Sequence, residues 1–389
     1  MSKPDFSAVK EAFLRIRELP EAAQQSAIGQ LPGAALRAEV AELLGFDVAE
    51  TAFLAPRASE EIAIPLGGDR VPPPIAGEVL DGRFEVQAPV TEGGFGWIYR
   101  GRDRQRDEPV AIKVFKPIDD PAVAAEVEAA FLREGRVLAQ LHAQSPHIVE
   151  YRDVGTWRDG RGQPHPFIVM EWLDGMTLAE YAQRFLCEAG CPLPEVLDLL
   201  EPVALALTQA HAAGVAHRDF KPSNVLVVGD PAAPDLKLVD FGAAKVAADR
   251  ARGFDSTGGV VGMVTYLYSA PELLSRTYGA TGPWTDVYAL ALVITELLLG
   301  RHPWAGRDVL HIMDGVLDEK VRPTPGAHGA AQPKAVEALL ARALAVDPTA
   351  RPRDMAAFWP ALRAAADGRS KPSAGQALRG VLGRLVGKK

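Results

Sequence analysis

Four side chains near the middle of the chain have types and spacing suited to joint chemistry. Asp219, Lys221 and Asn224 fall in the run His217-Arg218-Asp219-Phe220-Lys221-Pro222-Ser223-Asn224, and Asp240 follows in Asp240-Phe241-Gly242. An aspartate, a lysine and an asparagine so placed reach one small volume only from a sharply turned loop. Such a loop holds together a proton acceptor, a cation for a phosphate contact and an oxygen ligand for a metal. Val225-Leu226-Val227-Val228 and Leu236-Lys237-Leu238-Val239 flank Gly229 to Asp235. That pattern predicts a strand hairpin carrying both acidic loops to the same face, with Asp219 and Asp240 meeting over one site.

The ordered pair H-R-D-x-K-P-x-N and D-F-G resembles the catalytic core of eukaryotic-type serine/threonine protein kinases. The resemblance implies an α+β, bilobal protein kinase fold, with a small β-rich N-lobe and a large helical C-lobe. It also implies roles. Asp219 would orient the substrate hydroxyl and accept its proton, and Lys221 would neutralise charge on the transferring phosphoryl group. Asn224 and Asp240 would hold Mg2+, and ATP would be the phosphoryl donor. Lys221 in the D-x-K-P-x-N frame favours serine and threonine over tyrosine as acceptors.

The elements that must position these groups are legible on either side. Phe84-Glu85-Val86 and Gly96-Trp97-Ile98-Tyr99 alternate like two strands joined by Thr91-Glu92-Gly93-Gly94-Phe95-Gly96. Small residues there let backbone amides approach phosphate oxygens. In the family this is the glycine-rich loop over ATP, with Gly93, Gly94 and Gly96 as its glycines; Thr91 stands where the first glycine is expected. Val110-Ala111-Ile112-Lys113 is an apolar strand with one lysine inside it, and a charge there is expensive unless paired. The resemblance gives Lys113 to the α- and β-phosphates, held by Glu134 from the helical segment running through Leu141. Phe167-Ile168-Val169-Met170 is a further strand leading into Glu171-Trp172-Leu173. By the same resemblance, backbone near Glu171 and Leu173 receives adenine, with Met170 behind it, and Val90, Ile98, Ala111 and Leu226 enclose the base. Leu197 to His211 is an amphipathic helix that delivers the catalytic loop.

Downstream, residues 240 to 272 are rich in glycine and hydroxyls without a clear period, as in an activation loop. Arg218 is a cation without an obvious local partner. A phosphate on Ser256 or Thr257 is one partner for it, and a carboxylate such as Asp255 is the other. Thr265 to Glu272 resembles the substrate-docking end of such a loop, with Val264 in place of a common glycine. Asp286 opens a strongly apolar helix ended by Gly300 and is expected to brace the catalytic loop. Asp347-Pro348-Thr349-Ala350-Arg351-Pro352 matches the closing signature, in which Arg351 would pair with Glu272.

Composition narrows the rest. The chain has 389 residues, 48% hydrophobic content and a net charge of −8, as expected of a soluble globular protein and not of a nucleic-acid binder. Cys187 and Cys191 are the only cysteines, which excludes a disulfide framework or a four-thiolate metal site and suits reduced thiols in the cytoplasm. His165, His302, His311 and His328 show no pairing that suggests a metal. No run reaches the length of a membrane span. Four segments are expected: a helical N-terminal extension over 1–54, a proline- and glycine-rich linker over 55–76, the kinase domain over 77–365 and a basic tail over 366–389. The extension and tail leave room for a regulatory partner protein, and the tail for peripheral contact with an anionic membrane, the less favoured use. Two rival readings stand beside the enzyme: a pseudokinase acting as a nucleotide-binding scaffold, and a small-molecule kinase of similar fold.

Overall fold

The structure, a computed structural model, describes residues 75–92, 96–115, 139–143, 145–159, 162, 164–186, 189–241, 267–274, 276–307 and 309–368. In the N-terminal segment it describes residues 12, 15–16, 19–33, 36–37 and 40. The glycines Gly93 and Gly94, Glu134, Ser256 and Thr257, Cys187, linker residues up to 74 and the tail from 369 onward lie outside the described residues.

Six antiparallel strands build the first layer: β1 (Val79–Leu80), β2 (Phe84–Glu92), β3 (Gly96–Asp103), β4 (Glu108–Phe115), β5 (Tyr151–Arg158) and β6 (Pro164–Glu171), in the order β1-β2-β3-β4-β6-β5. Strand alternation divides the faces. On β4, Val110, Ile112 and Val114 are buried in a small core with Phe84, Trp97, Tyr99, Phe167 and Val169. Ala111 and Lys113 therefore point to the opposite face, as Ile98 does on β3. On β6 the neighbours Ile168 and Met170 belong to the large core instead. One strand thus serves both cores.

After β6 the chain passes through Trp172 to Asp174 into β7 (Gly175–Thr177) and α2 (Leu178–Phe185). Thr177 and Glu180 form a capping box that fixes where α2 starts. α3 (Leu193–Ala212) buries Val196, Leu197, Leu200, Val203, Ala204, Leu207 and Ala210, the stripe expected at 3.6-residue spacing. It runs beside α5 (Pro283–Leu299), reached after the short α4 (Pro271–Leu274). α5 is buried almost all round, from Thr285 to Leu299, and Gly300 ends it at φ 69°. A helix apolar on every side belongs at the centre of a large core. Replacing fully buried Leu290 by alanine is expected to cost about 2–5 kcal/mol.

α6 (Val309–Leu317), α7 (Lys334–Ala343) and α8 (Met355–Ala366) complete the large lobe. The sheet β7-β8-β9, with β8 (Val225–Val228) and β9 (Asp235–Leu238), lies on its upper side. The N-terminal segment carries α1 (Glu21–Gly29) and its own cluster of Ala12, Ile16, Leu31, Leu36 and Val40.

Candidate active site

The hairpin of β8 and β9 pairs Val225 with Leu238 and Val228 with Asp235. Its two ends carry the catalytic loop and Asp240. Pro222–Asn224 form a single 3-10 turn, and that turn swings Asn224 back toward Asp219. Asn224 Nδ2 donates to the Asp219 carbonyl at 2.8 Å and to Asp219 Oδ2 at 3.1 Å. Lys221 Nζ reaches the same Oδ2 at 3.1 Å. Both donors orient the carboxylate, and Lys221 and Asp219 are each 16% exposed. Asn224 makes these bonds through Nδ2, and its Oδ1 is the remaining acceptor of the amide.

Lys113 crosses from the sheet to meet Asp240, with Nζ to Oδ1 at 2.7 Å. This contact shows that the Ala111 and Lys113 face of β4 looks onto the large lobe. Ala111 is opposite Met170 on β6, and Ala111 and Leu173 both rest against the large core. Leu226 is half-buried on β8, and Val90 is exposed. Gly96 packs so tightly on β4 that an added Cβ would overlap the Val114 carbonyl, which accounts for a glycine there.

A buried brace holds the loop in shape. Asp286, 1% exposed, accepts from the backbone N–H groups of His217 and Arg218, both at 2.7 Å. It also accepts from His211 Nε2 at 2.8 Å, while His211 Nδ1 accepts from Met355 N. Three N–H donors compensate the buried carboxylate. They hold Arg218 at φ 65°, while Asp240 has φ 55°. Both backbones are in the left-handed region, where residues other than glycine are strained, and such strain gathers at functional sites.

His217 joins the two acidic loops. Its Nε2 donates to the Val239 carbonyl at 3.0 Å, and its Nδ1 accepts from Asp219 N at 3.3 Å. That arrangement requires a neutral ring with the proton on Nε2. Burial pushes its pKa below the ordinary histidine value, against the pull of Asp286 and the Val239 carbonyl.

Beside the loop a hollow is lined by Arg218, Asp219, Lys221, Tyr268, Ser269 and Thr285. Tyr268 and Ser269, just before Ala270-Pro271-Glu272, and Leu273 just after it form one wall of the hollow. Glu272 is fixed by Arg351 through two parallel bonds of 2.8 and 2.9 Å, neither side chain being exposed. Thr285 donates to Glu272 Oε1 at 2.8 Å, which ties that wall to the helix carrying Asp286.

The structure therefore brings Asp219, Lys221 and Asn224 into contact and Lys113 to Asp240. Sequence reasoning missed the tautomer-fixed bridge of His217 and the support from His211. It also missed Lys237, which pairs with Glu171 at 2.6 Å, although a charge between Leu236 and Leu238 carried the same signal used for Lys113.

Residues 84–358 match the model of the protein kinase domain. The chain belongs to the protein kinase domain family. Its relatives there are bacterial serine/threonine-protein kinases. It is 37% identical over 298 residues to PknL of Mycobacterium tuberculosis, covering 76% of this chain and 68% of PknL. It is 32% identical over 272 residues to PknE of the same species, covering 69% of this chain and 44% of PknE. Among solved structures, the kinase domain of M. tuberculosis PknI matches with a TM-score of 0.54 and 28% identity, over 75% of this chain and 99% of that domain. Among the described residues no helix is long and apolar enough to cross a membrane.

Proposed function

We propose that the chain transfers the γ-phosphoryl group of ATP to serine and threonine hydroxyls of proteins. The observation that carries this reading is the convergence of Lys221 Nζ and Asn224 Nδ2 on Asp219 Oδ2, each at 3.1 Å. A carboxylate so held accepts the proton of a substrate hydroxyl as its oxygen attacks the γ-phosphorus and the bond to ADP breaks. Lys221 lies beside that carboxylate and stabilises the charge spreading over the phosphoryl oxygens. No covalent nucleophile on the protein is needed, because positioning and charge stabilisation supply the rate.

Asn224 and Asp240 offer amide and carboxylate oxygens, the hard donors Mg2+ takes together with phosphates. Bound there, Mg2+ would neutralise phosphate charge. Lys113 would turn from Asp240 toward the α- and β-phosphates, with Glu134 as its second partner. The glycines Gly93, Gly94 and Gly96 would cover the phosphates. Val90, Ile98, Ala111, Met170, Glu171, Leu173 and Leu226 would seat the base.

Arg218 Nε is buried without a hydrogen-bond partner among the described residues. This supports a regulatory phosphate on Ser256 or Thr257, added by the kinase itself. The catalytic domain is assigned to residues 77–365, between a helical extension and linker before it and a basic tail after it. Protein substrates are its partners, and the cytoplasm its place of action.

Incubation with γ-labelled ATP, Mg2+ and a generic protein substrate, followed by phosphoamino acid analysis, tests the reading. Label on serine and threonine is expected. Label on tyrosine alone, or nucleotide binding without any transfer, would overturn it, the latter in favour of a scaffold. Phosphopeptide mass spectrometry of the active enzyme should find Ser256 or Thr257 modified; an active preparation bare at both removes the switch.

A further inference from the structure

Lys237 is half-buried on β9 between Leu236 and Leu238, both fully buried, and three residues before Asp240. Its Nζ meets Glu171 Oε1 at 2.6 Å, with the two side chains 16% and 17% exposed. Glu171 is the last residue of β6, where the sheet ends and the chain crosses to the large lobe. The same Oε1 accepts from Glu150 N at 2.9 Å, and Glu171 N donates to the Glu150 carbonyl at 2.9 Å. Glu171 is thereby fixed through both its backbone and its side chain.

The end of β9 and Val239, which leads to Asp240, are held just as closely. Leu238 N donates to His147 O at 2.8 Å, Val149 N to Leu238 O at 3.0 Å and Val239 N to Asn224 O at 3.0 Å. A displacement of Lys237 is therefore passed along β9 toward Asp240. Lys237 also lies opposite Leu226, the residue assigned to the floor of the base.

We propose that Lys237 is a positioning residue, setting the distance between the base seat at Glu171 and the phosphate and metal seat at Asp240. The inference rests on the ATP reading, because a ligand with a base at one end and phosphates at the other spans both seats. Among the described residues, two ion pairs join the lobes at this cleft. Lys113–Asp240 must open to admit phosphates, whereas Lys237–Glu171 touches neither phosphate nor metal and persists through binding. A ligand that spans both seats gains from a preset separation; a ligand that fills one seat does not.

Calorimetric titration of the full chain with Mg-ATP and, separately, with adenosine tests this. Lys237→Met keeps the length of the side chain and removes its charge. It should weaken Mg-ATP about five- to tenfold, the scale of coupling between contacting groups, while adenosine changes less than about twofold. Lys237→Arg should restore Mg-ATP binding to within about twofold, and the double variant Lys237→Met/Glu171→Gln should be no weaker than Lys237→Met alone. Should Lys237→Met fail to fold, Lys237→Gln, which also removes the charge and keeps a polar end at the half-buried position, carries the comparison with the same expected outcome. Equal loss for both ligands, or no loss for either in a folded variant, would overturn the positioning role. Wild-type protein that binds no Mg-ATP would instead refute the ATP reading, and the positioning role with it.

Discussion

Arg351→Met removes the cation from an ion pair in which neither side chain is exposed. Arg351 makes two bonds to Glu272, donates from Nε to the Ala345 carbonyl at 2.7 Å and from Nη2 to the Val346 carbonyl at 3.1 Å, and lies 4.8 Å from the Tyr288 ring centroid. Methionine fills part of the volume and replaces none of the bonds. Stranding one charge of a buried pair costs about 3–5 kcal/mol. Three carbonyls, those of Ala345, Val346 and Trp284, lose this donor as well, so the expected loss is about 4 kcal/mol. For a domain of this size that lowers Tm by about 7 °C. Thermal melting followed by circular dichroism, with urea denaturation beside it, measures both quantities. The double variant Arg351→Met/Glu272→Gln removes the stranded carboxylate and should recover at least about half of the loss. A single-variant loss below about 1 kcal/mol, the worth of a surface pair, would refute the reasoning. So would a double variant whose loss equals the sum of the two singles.

Asp286→Asn replaces two acceptor oxygens by one oxygen and an NH2, so one of the N–H groups of His217 and Arg218 faces another donor. Displacement of Asp219 should lower kcat about 100-fold while KM for ATP changes little, as steady-state kinetics will read. Glu296 donates the next test, since burial raises its pKa to about 7, against the lowering effect of its bond from Tyr268. The folded state then binds more protons than the unfolded one between the ordinary carboxylate value of 4.5 and about 7, so this group makes the protein less stable as pH rises through that window. Glu296→Gln should therefore gain Tm over wild type at pH 8 and little at pH 4. Burial holds His302 at a pKa of about 3, and the sign reverses: stability falls as pH drops from the ordinary histidine value toward 3, because the unfolded state takes up the proton. His302→Gln should flatten the acid side of the Tm profile, and an unchanged profile would count against the buried neutral ring.

The hairpin under the site was legible because two apolar runs flank a polar turn, and period-2 burial leaves few registers for such runs. The central helix was equally open to reading, since Val287 to Leu299 is apolar on every side and Gly300 stops it. Lys113 was readable as a charge that must be paired, and its contact with Asp240 was not anticipated. Pairing depends on how the lobes meet, and among the described residues Lys113 meets Asp240. Glu134 lies outside the described residues, so the expected pair with Lys113 stays a proposal. The brace under Asp286 was anticipated as a contact to the catalytic loop. Its third donor, His211, came from helix packing that no local pattern encodes. β5 escaped because Tyr151 to Arg158 mixes charged, small and aromatic residues without clean alternation, and its position at the sheet edge leaves most of it half-exposed. Lys237 carries the same signal as Lys113, a charge between the buried Leu236 and Leu238, and its partner Glu171 comes from the other lobe.

In the proposed reaction the Asp219 carboxylate, held by Lys221 and Asn224, accepts the proton of the hydroxyl being phosphorylated. The most direct measurement compares wild type with Asp219→Asn in transfer of label from γ-labelled ATP in Mg2+, with Mg-ATP affinity measured on the same preparations. Asparagine keeps the shape and an acceptor oxygen but cannot take the proton. The account predicts that transfer falls about 10²- to 10⁴-fold while Mg-ATP affinity stays within about threefold. Transfer by the variant at the wild-type rate would contradict it.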